Sequence, residues 1–237
     1  MKARRKNTVK TLVDACMTVL LLLLMAYHVT GEALHEWFGV GMTALLIVHH
    51  ILNRKWYAAL FKGKYSAYRI VTLTVNALLL ACAALTALCG MAMSAHAVPF
   101  MYGMLPASFA RRFHLALSFW SFILMGFHLG LHIPAMTARF KLNGKIKTAA
   151  AALFAAAAAA GFWLFVRNGI PDYIFFRIPF ALRDNGRSAA LVFAEHLAIL
   201  IAFAFSGACA AFVMARAAKG GKGNSARREP GENENQS

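Results

Sequence analysis

Charge is what this chain has least of. Only 14% of its 237 residues are Asp, Glu, Lys or Arg, while 60% are hydrophobic, and its mean hydropathy is +0.57. A water-soluble fold needs more polar surface than this composition supplies, so a soluble class is excluded first. Acidic residues are scarcer still, nine against twenty-five basic ones. The four cysteines, Cys16, Cys82, Cys89 and Cys209, form no C-x-x-C pair and no C-x-x-C-H motif. All four fall inside apolar runs and read as packing residues. No G-x-G-x-x-G fingerprint occurs, so the chain does not take hydride from NAD(P)H by itself.

What is present is a series of apolar runs, each near the roughly 20 residues that span a bilayer. They lie at about 8–29, 35–53, 70–93, 113–134, 148–166 and 188–215, six spans in all. The basic MKARRK start followed by leucines imitates a signal peptide. No A-x-A site follows it, and the run continues into the next span, so it reads as an anchor.

The basic residues alternate by loop, which explains a net charge of +16 without nucleic acid. Nineteen Lys and Arg fall on one side (the N-terminus, the second and fourth loops, the tail) and six on the other. By the positive-inside rule both termini are cytoplasmic.

The first four spans form one unit with short loops at 30–34 and 54–69. The fifth is almost all alanine from Thr148 to Gly161, a composition for close helix packing. The outer loop from Arg167 to Arg187 carries Tyr173, Phe175, Phe176 and Phe180 and reads as an interfacial segment or lid. The expected fold class is therefore all-α: a polytopic membrane bundle with a four-helix core (1–135), a two-helix extension (136–216) and a disordered cytoplasmic tail (217–237).

Chemistry concentrates in histidines. His35 and His49 share one span, His114 and His128 another, and each pair is fourteen residues apart. At ~100° per residue, fourteen steps return to within about 40° of the starting face and rise about 21 Å. With both termini inside, the second and fourth spans run in the same direction. His35 and His114 then share an outer depth, and His49 and His128 an inner one. Intramembrane ionisable groups are costly and usually functional. Four imidazoles at matched depths suit two haems stacked across the membrane, each held by a bis-histidine pair. Without a C-x-x-C-H motif the haems are b-type. Six-coordinate iron has no open position for oxygen chemistry, which suits electron transfer.

Neighbouring residues refine the sites. His50 is the alternate for the inner ligand from the second span, and His132, one turn beyond His128, the alternate from the fourth. His28 and His96 read as interfacial. Glu36, beside His35, is expected to bond the imidazole or a haem propionate. Gly39, on the His35 face, and Gly126 and Gly130, flanking His128, are expected to clear space for a flat macrocycle. Glu195, with His196 beside it, is a carboxylate about two turns inside the outer surface. It reads either as a quinol or proton site or as a protonated group bonded to a neighbouring helix. Asn53, Trp56 and Tyr57 read as an interface anchor.

The stretches Gly31-Glu32-Ala33-Leu34-His35-Glu36-Trp37-Phe38-Gly39, His49-His50-Ile51-Leu52-Asn53-Arg54-Lys55-Trp56 and His128-Leu129-Gly130-Leu131-His132 resemble the flavinylation-associated cytochrome domain family over roughly residues 8–135. Gly169-Ile170-Pro171-Asp172-Tyr173 and Phe193-Ala194-Glu195 resemble the two-span extension of some members. The resemblance implies a di-haem cytochrome of the bacterial cytoplasmic (inner) membrane, related in plan to ferric-reductase and cytochrome-b bundles. It further implies delivery of electrons to an extracytosolic flavoprotein, as an electron-transfer subunit rather than a stand-alone enzyme. Menaquinol or a cytoplasmic flavoprotein would feed it. Two other classes compete. A divalent-metal transporter would use His128 and His132 at i, i+4 with His49, His50 and Glu195. A cofactor-free assembly subunit would use its histidines only to bond backbone.

Overall fold

A computed structural model describes residues 2–63, 65–138, 143–180 and 186–226, with side chains given from residue 8 to 218 within those ranges. The described residues form helices and no strand: α1 (Lys2–Met25), α2 (Tyr27–Leu52), α3 (Arg54–Ala59), α4 (Ala67–Met91), a 3-10 turn (Pro99–Met101), α5 (Ala107–Thr137), α6 (Gly144–Arg167), α7 (Ile170–Ile174) and α8 (Ala189–Ala226). Segments of α1, α4, α5, α6 and α8 are long and apolar enough to cross a membrane. The chain is a helical membrane protein. At 26 residues α2 has the length as well, but Glu32, His35, Glu36, His49 and His50 dilute its hydropathy.

The expected loop at 30–34 is largely helical. Backbone α-geometry breaks briefly at Ala26 and again at Gly31, where φ is 75° and ψ 173°. Only glycine adopts that conformation without strain. The short turn Tyr27–Thr30 is thereby folded over the outer end of α2.

Helix α5 is the hub. It packs along α4 on one side and α8 on the other, α6 packs on α8, α1 packs on α2 and touches α8, and α2 touches α4. The helices α1, α2, α4, α5 and α8 therefore close a ring. The main core joins Leu21, Phe122, Ile123, Ile170, Ile174, Ile199 and Leu200, drawn from α1, α5, α7 and α8. On α1 the contact face is Val13, Met17 and Leu21, at the four-residue spacing of one helical stripe. Helix α8 is thus built into the core rather than appended to it.

Very close backbone approach makes the α5–α8 and α6–α8 seams. A Cβ at Gly126 would lie 2.9 Å from Phe203 Cβ and 3.0 Å from Leu200 O, and one at Gly130 would collide with the Ala204 carbonyl. Gly207 and Gly161 meet Phe127 and Ala198 in the same way. This corrects the expectation for Gly126 and Gly130. They face α8 and serve small-residue helix packing, leaving no clearance for a macrocycle there. The alanine run of α6 is mostly exposed, with Ala158 and Gly161 as its buried contacts.

Of the cysteines only Cys89 is buried; Cys16 and Cys209 are exposed and all four are free thiols, so packing accounts for Cys89 alone. The outward surface carries Leu12, Val19, Trp37, Ile47, Ile51, Leu78, Leu85 and Phe212, an apolar belt that suits lipid contact. Helix α8 runs to Ala226, into the segment expected to be disordered. Lys64, Arg139, Lys141, Arg183, Arg227 and Arg228, all used in the charge tally, lie outside the described residues.

Candidate functional site

Inside the ring lies one cavity of about 2600 Å³, lined by His28, His35, His49, His50, His114, His128, His132 and His196. Ordinary small-molecule pockets enclose about 300–1,000 Å³. This cavity has room for more than one large group. Its lining is mainly apolar, with the imidazoles as its repeated polar feature.

At one end of the cavity, His35 of α2 and His114 of α5 stand with ring centroids 6.0 Å apart and planes at 74°. Metal-bound imidazole nitrogens sit about 2 Å from the metal and the ring centroid about 1 Å further, so two imidazoles sharing one iron stand roughly 6 Å apart. The observed spacing fits that requirement. His114 Nδ1 donates to the Thr86 carbonyl at 2.9 Å. That bond fixes the proton on Nδ1 and leaves the Nε2 lone pair available, the usual preparation of a metal-binding histidine. The ring can lie this close to α4 because residue 90 is glycine: a Cβ there would come within 3.0 Å of His114 Cε1. Tyr27, carried by the folded turn, stands edge-on to His35 at 5.0 Å. His35 Nδ1 is buried without a geometrically sound hydrogen bond, although the Leu24 backbone lies within its range. Gly39 has open space where a Cβ would be and lines the cavity.

At the other end, His49 and His128 line the same cavity. Their Nδ1 atoms are both tied. His49 Nδ1 donates to Asp14 Oδ1 of α1 at 2.8 Å, and His128 Nδ1 to Asn76 Oδ1 of α4 at 2.8 Å. Asn53 Nδ2 approaches His49 Nε2 at 3.4 Å, a long contact that leaves Nε2 as the acceptor nitrogen. Asn53 also bonds the His49 carbonyl at 2.9 Å and accepts from Lys10 Nζ at 2.6 Å. It ties α1 to α2 rather than acting only as an interface anchor.

The alternates are placed differently. His50 Nδ1 is 2.6 Å from the Tyr57 hydroxyl, which can donate to it or accept from it. His132 is exposed and stacks edge-to-face on His128 at 4.8 Å. The Nδ1 atoms of His49 and His128 instead face oxygens of Asp14 and Asn76 that accept, which leaves their Nε2 atoms unprotonated.

Two expected roles change. Glu36 does not bond an imidazole. Its carboxylate accepts from Ser94 Oγ at 2.7 Å and from the backbone N–H groups of Ala95, His96 and Ala97 at 3.1, 2.7 and 2.8 Å. It clamps α2 to the turn after α4, and so holds the outer end of the His35 helix against α4. Glu195, 5% exposed, accepts from Arg187 Nη1 at 2.7 Å and from Asn168 Nδ2 at 2.9 Å. It is an ion-paired link between α6, α8 and the residues preceding α8. His196 donates Nδ1 to the Val192 carbonyl at 2.8 Å, as a packed helix residue does. Glu32, Glu36 and His96 bring ligand atoms within 4.8 Å of one another, but Glu36 is already occupied by its four donors.

The outer segment is partly a plug. Ile170, Tyr173 and Ile174 are buried, Tyr173 stacks on Phe119 at 5.0 Å, and Trp120 Nε1 donates to the Ile174 carbonyl at 3.2 Å. Phe175 and Phe180 remain exposed, as an interfacial segment requires.

Nothing in the histidine spacing singles out Asp14, Asn76, Thr86 or Gly90. Asp14 and Asn76 carried a signal nonetheless, each being a polar residue inside an apolar span. No protein-family model matches the chain, and no curated protein or solved structure matches it.

Proposed function

We propose that the protein is an integral membrane di-haem b-type cytochrome that carries electrons across the bacterial cytoplasmic membrane. The 6.0 Å approach of His35 and His114 across the large cavity carries this reading. His35 and His114 would hold the outer haem, His49 and His128 the inner one. The bound haems supply one-electron chemistry at six-coordinate iron, with potentials tuned by burial and hydrogen bonds to the ligands. The protein's own part is to present four lone pairs, keep the ring protons on Nδ1 through Thr86, Asp14 and Asn76, and exclude water with the apolar lining.

In this reading α1, α2, α4 and α5 form the four-helix core and α6 and α8 the further two spans, six passes with both termini cytoplasmic. Donor and acceptor follow the resemblance and the absent dinucleotide site: menaquinol or a cytoplasmic flavoprotein on one side, an extracytosolic flavoprotein on the other. The pairing of Glu195 with Arg187 and Asn168 weakens the metal-transport alternative, because it removes the one carboxylate that alternative needs.

The deciding experiment is a dithionite-reduced minus oxidised absorption spectrum of the purified protein, with pyridine haemochrome quantitation. About two b-type haems per chain is the expected result. None, after expression with adequate haem supply, overturns the proposal.

A further inference from the structure

Asp14 sits in the apolar stretch of α1, where a carboxylate is costly unless it has a specific partner. Its partner is His49 Nδ1 at 2.8 Å. The side chain is 50% exposed and borders the histidine cavity. The nearby cation Lys10 is bonded to Asn53 Oδ1 at 2.6 Å.

The four proposed ligands differ in what their Nδ1 atoms meet. His49 meets a carboxylate, His128 an amide oxygen and His114 a backbone carbonyl, while His35 has no geometrically sound bond. The inner pair therefore has the stronger acceptors, a carboxylate and an amide oxygen, and the outer pair an amide oxygen on His114 alone. A carboxylate on the distal nitrogen makes an imidazole more basic and a better donor to a metal, and the negative charge favours the more oxidised iron.

We infer that Asp14 is a positioning residue of the inner haem site: its bond to His49 Nδ1 selects His49 over His50 as ligand and sets the inner haem at a lower midpoint potential than the outer. The inference rests on the di-haem reading. It gives the protein a built-in polarity, with the site of stronger electron hold at the outer face.

The test is an optical redox titration of the purified full-length haem-loaded protein. The wild type should show two waves, the lower one missing in His49→Ala and retained in His50→Ala. Asp14→Asn should shift the lower wave upward, leave the upper one in place and keep two haems; Asp14→Glu should restore the wild-type wave. Loss of the lower-wave haem in Asp14→Asn with recovery in Asp14→Glu supports the same assignment. Asn76→Asp, which leaves the Asp14–His49 bond intact, should move the lower wave further down and provides a measurement independent of the Asp14 variants. Two haems with an unmoved lower wave in Asp14→Asn, or a lower wave that disappears in His50→Ala instead of His49→Ala, overturn the inference alone. Absence of haem from the wild type overturns the cytochrome reading itself.

Discussion

Gly90 and His114 stand so close that even a methyl group on residue 90 would press on the ring. A Cβ on Gly90 would lie 3.0 Å from His114 Cε1 and 3.2 Å from its Nδ1, so the imidazole rests against bare backbone of α4. Its bond to the Thr86 carbonyl, one turn earlier on α4, holds it there. A branched side chain at 90 would push the ring off both.

Gly90→Val is therefore expected to lower haem content from about two per chain to about one, with the inner haem kept. Gly90→Ala, which needs only a few tenths of an ångström from the ring, should retain both and perturb the outer haem spectrum. Pyridine haemochrome assays read both outcomes.

Single ligand replacements should separate the sites. His35→Ala or His114→Ala should remove one haem, and His49→Ala or His128→Ala the other, each shown by the loss of one redox wave. A well-folded single variant that loses both haems would count against the two-tier arrangement.

Gly130→Val tests the corrected role of that glycine. Its side chain would run into the Ala204 carbonyl of α8, and overpacking of this kind costs about 1–3 kcal/mol or more. The expected result is a lower thermal midpoint in detergent with both haems retained at low temperature. Selective haem loss without destabilisation would place Gly130 at the cofactor instead.

Arg187→Ala leaves the Glu195 carboxylate buried, with the Asn168 amide still donating to it at 2.9 Å. Breaking one side of a buried pair costs roughly 3–5 kcal/mol, and neutralising the survivor recovers much of it. Because Arg187 keeps 32% side-chain exposure, the lower end is expected. Arg187→Ala should unfold earlier than wild type, and Arg187→Ala with Glu195→Gln should regain most of the difference. A thermal melt of the pair of variants decides it.

Much of the candidate site was legible in one dimension. His35 and His49, like His114 and His128, fall on one helical face because helix periodicity is a local property. Loop charge led to the expectation of a common direction for the two helices, and the structure brings His35 to His114. Glu36 was misread because proximity in sequence to His35 says nothing about which way a carboxylate turns, and the turn after α4 offers it four donors. Gly126 and Gly130 were misread because a helical glycine is equally consistent with a ligand on one side and a second helix on the other.

The sequence by itself determined that this is a helical membrane protein and roughly where its long helices run. Those properties follow from short-range rules, the apolar length that crosses a bilayer and the rotation per residue of a hydrogen-bonded helix. Only the tertiary structure decided which partner each polar atom meets: Asp14 for His49, Asn76 for His128, the Thr86 carbonyl for His114, Arg187 for Glu195. Those choices depend on how each helix is rotated about its own axis and which helix stands beside it. Both are set by side-chain packing between segments distant in the chain, as in the glycine seams of α5 and α8 that leave the histidine cavity open on the other side.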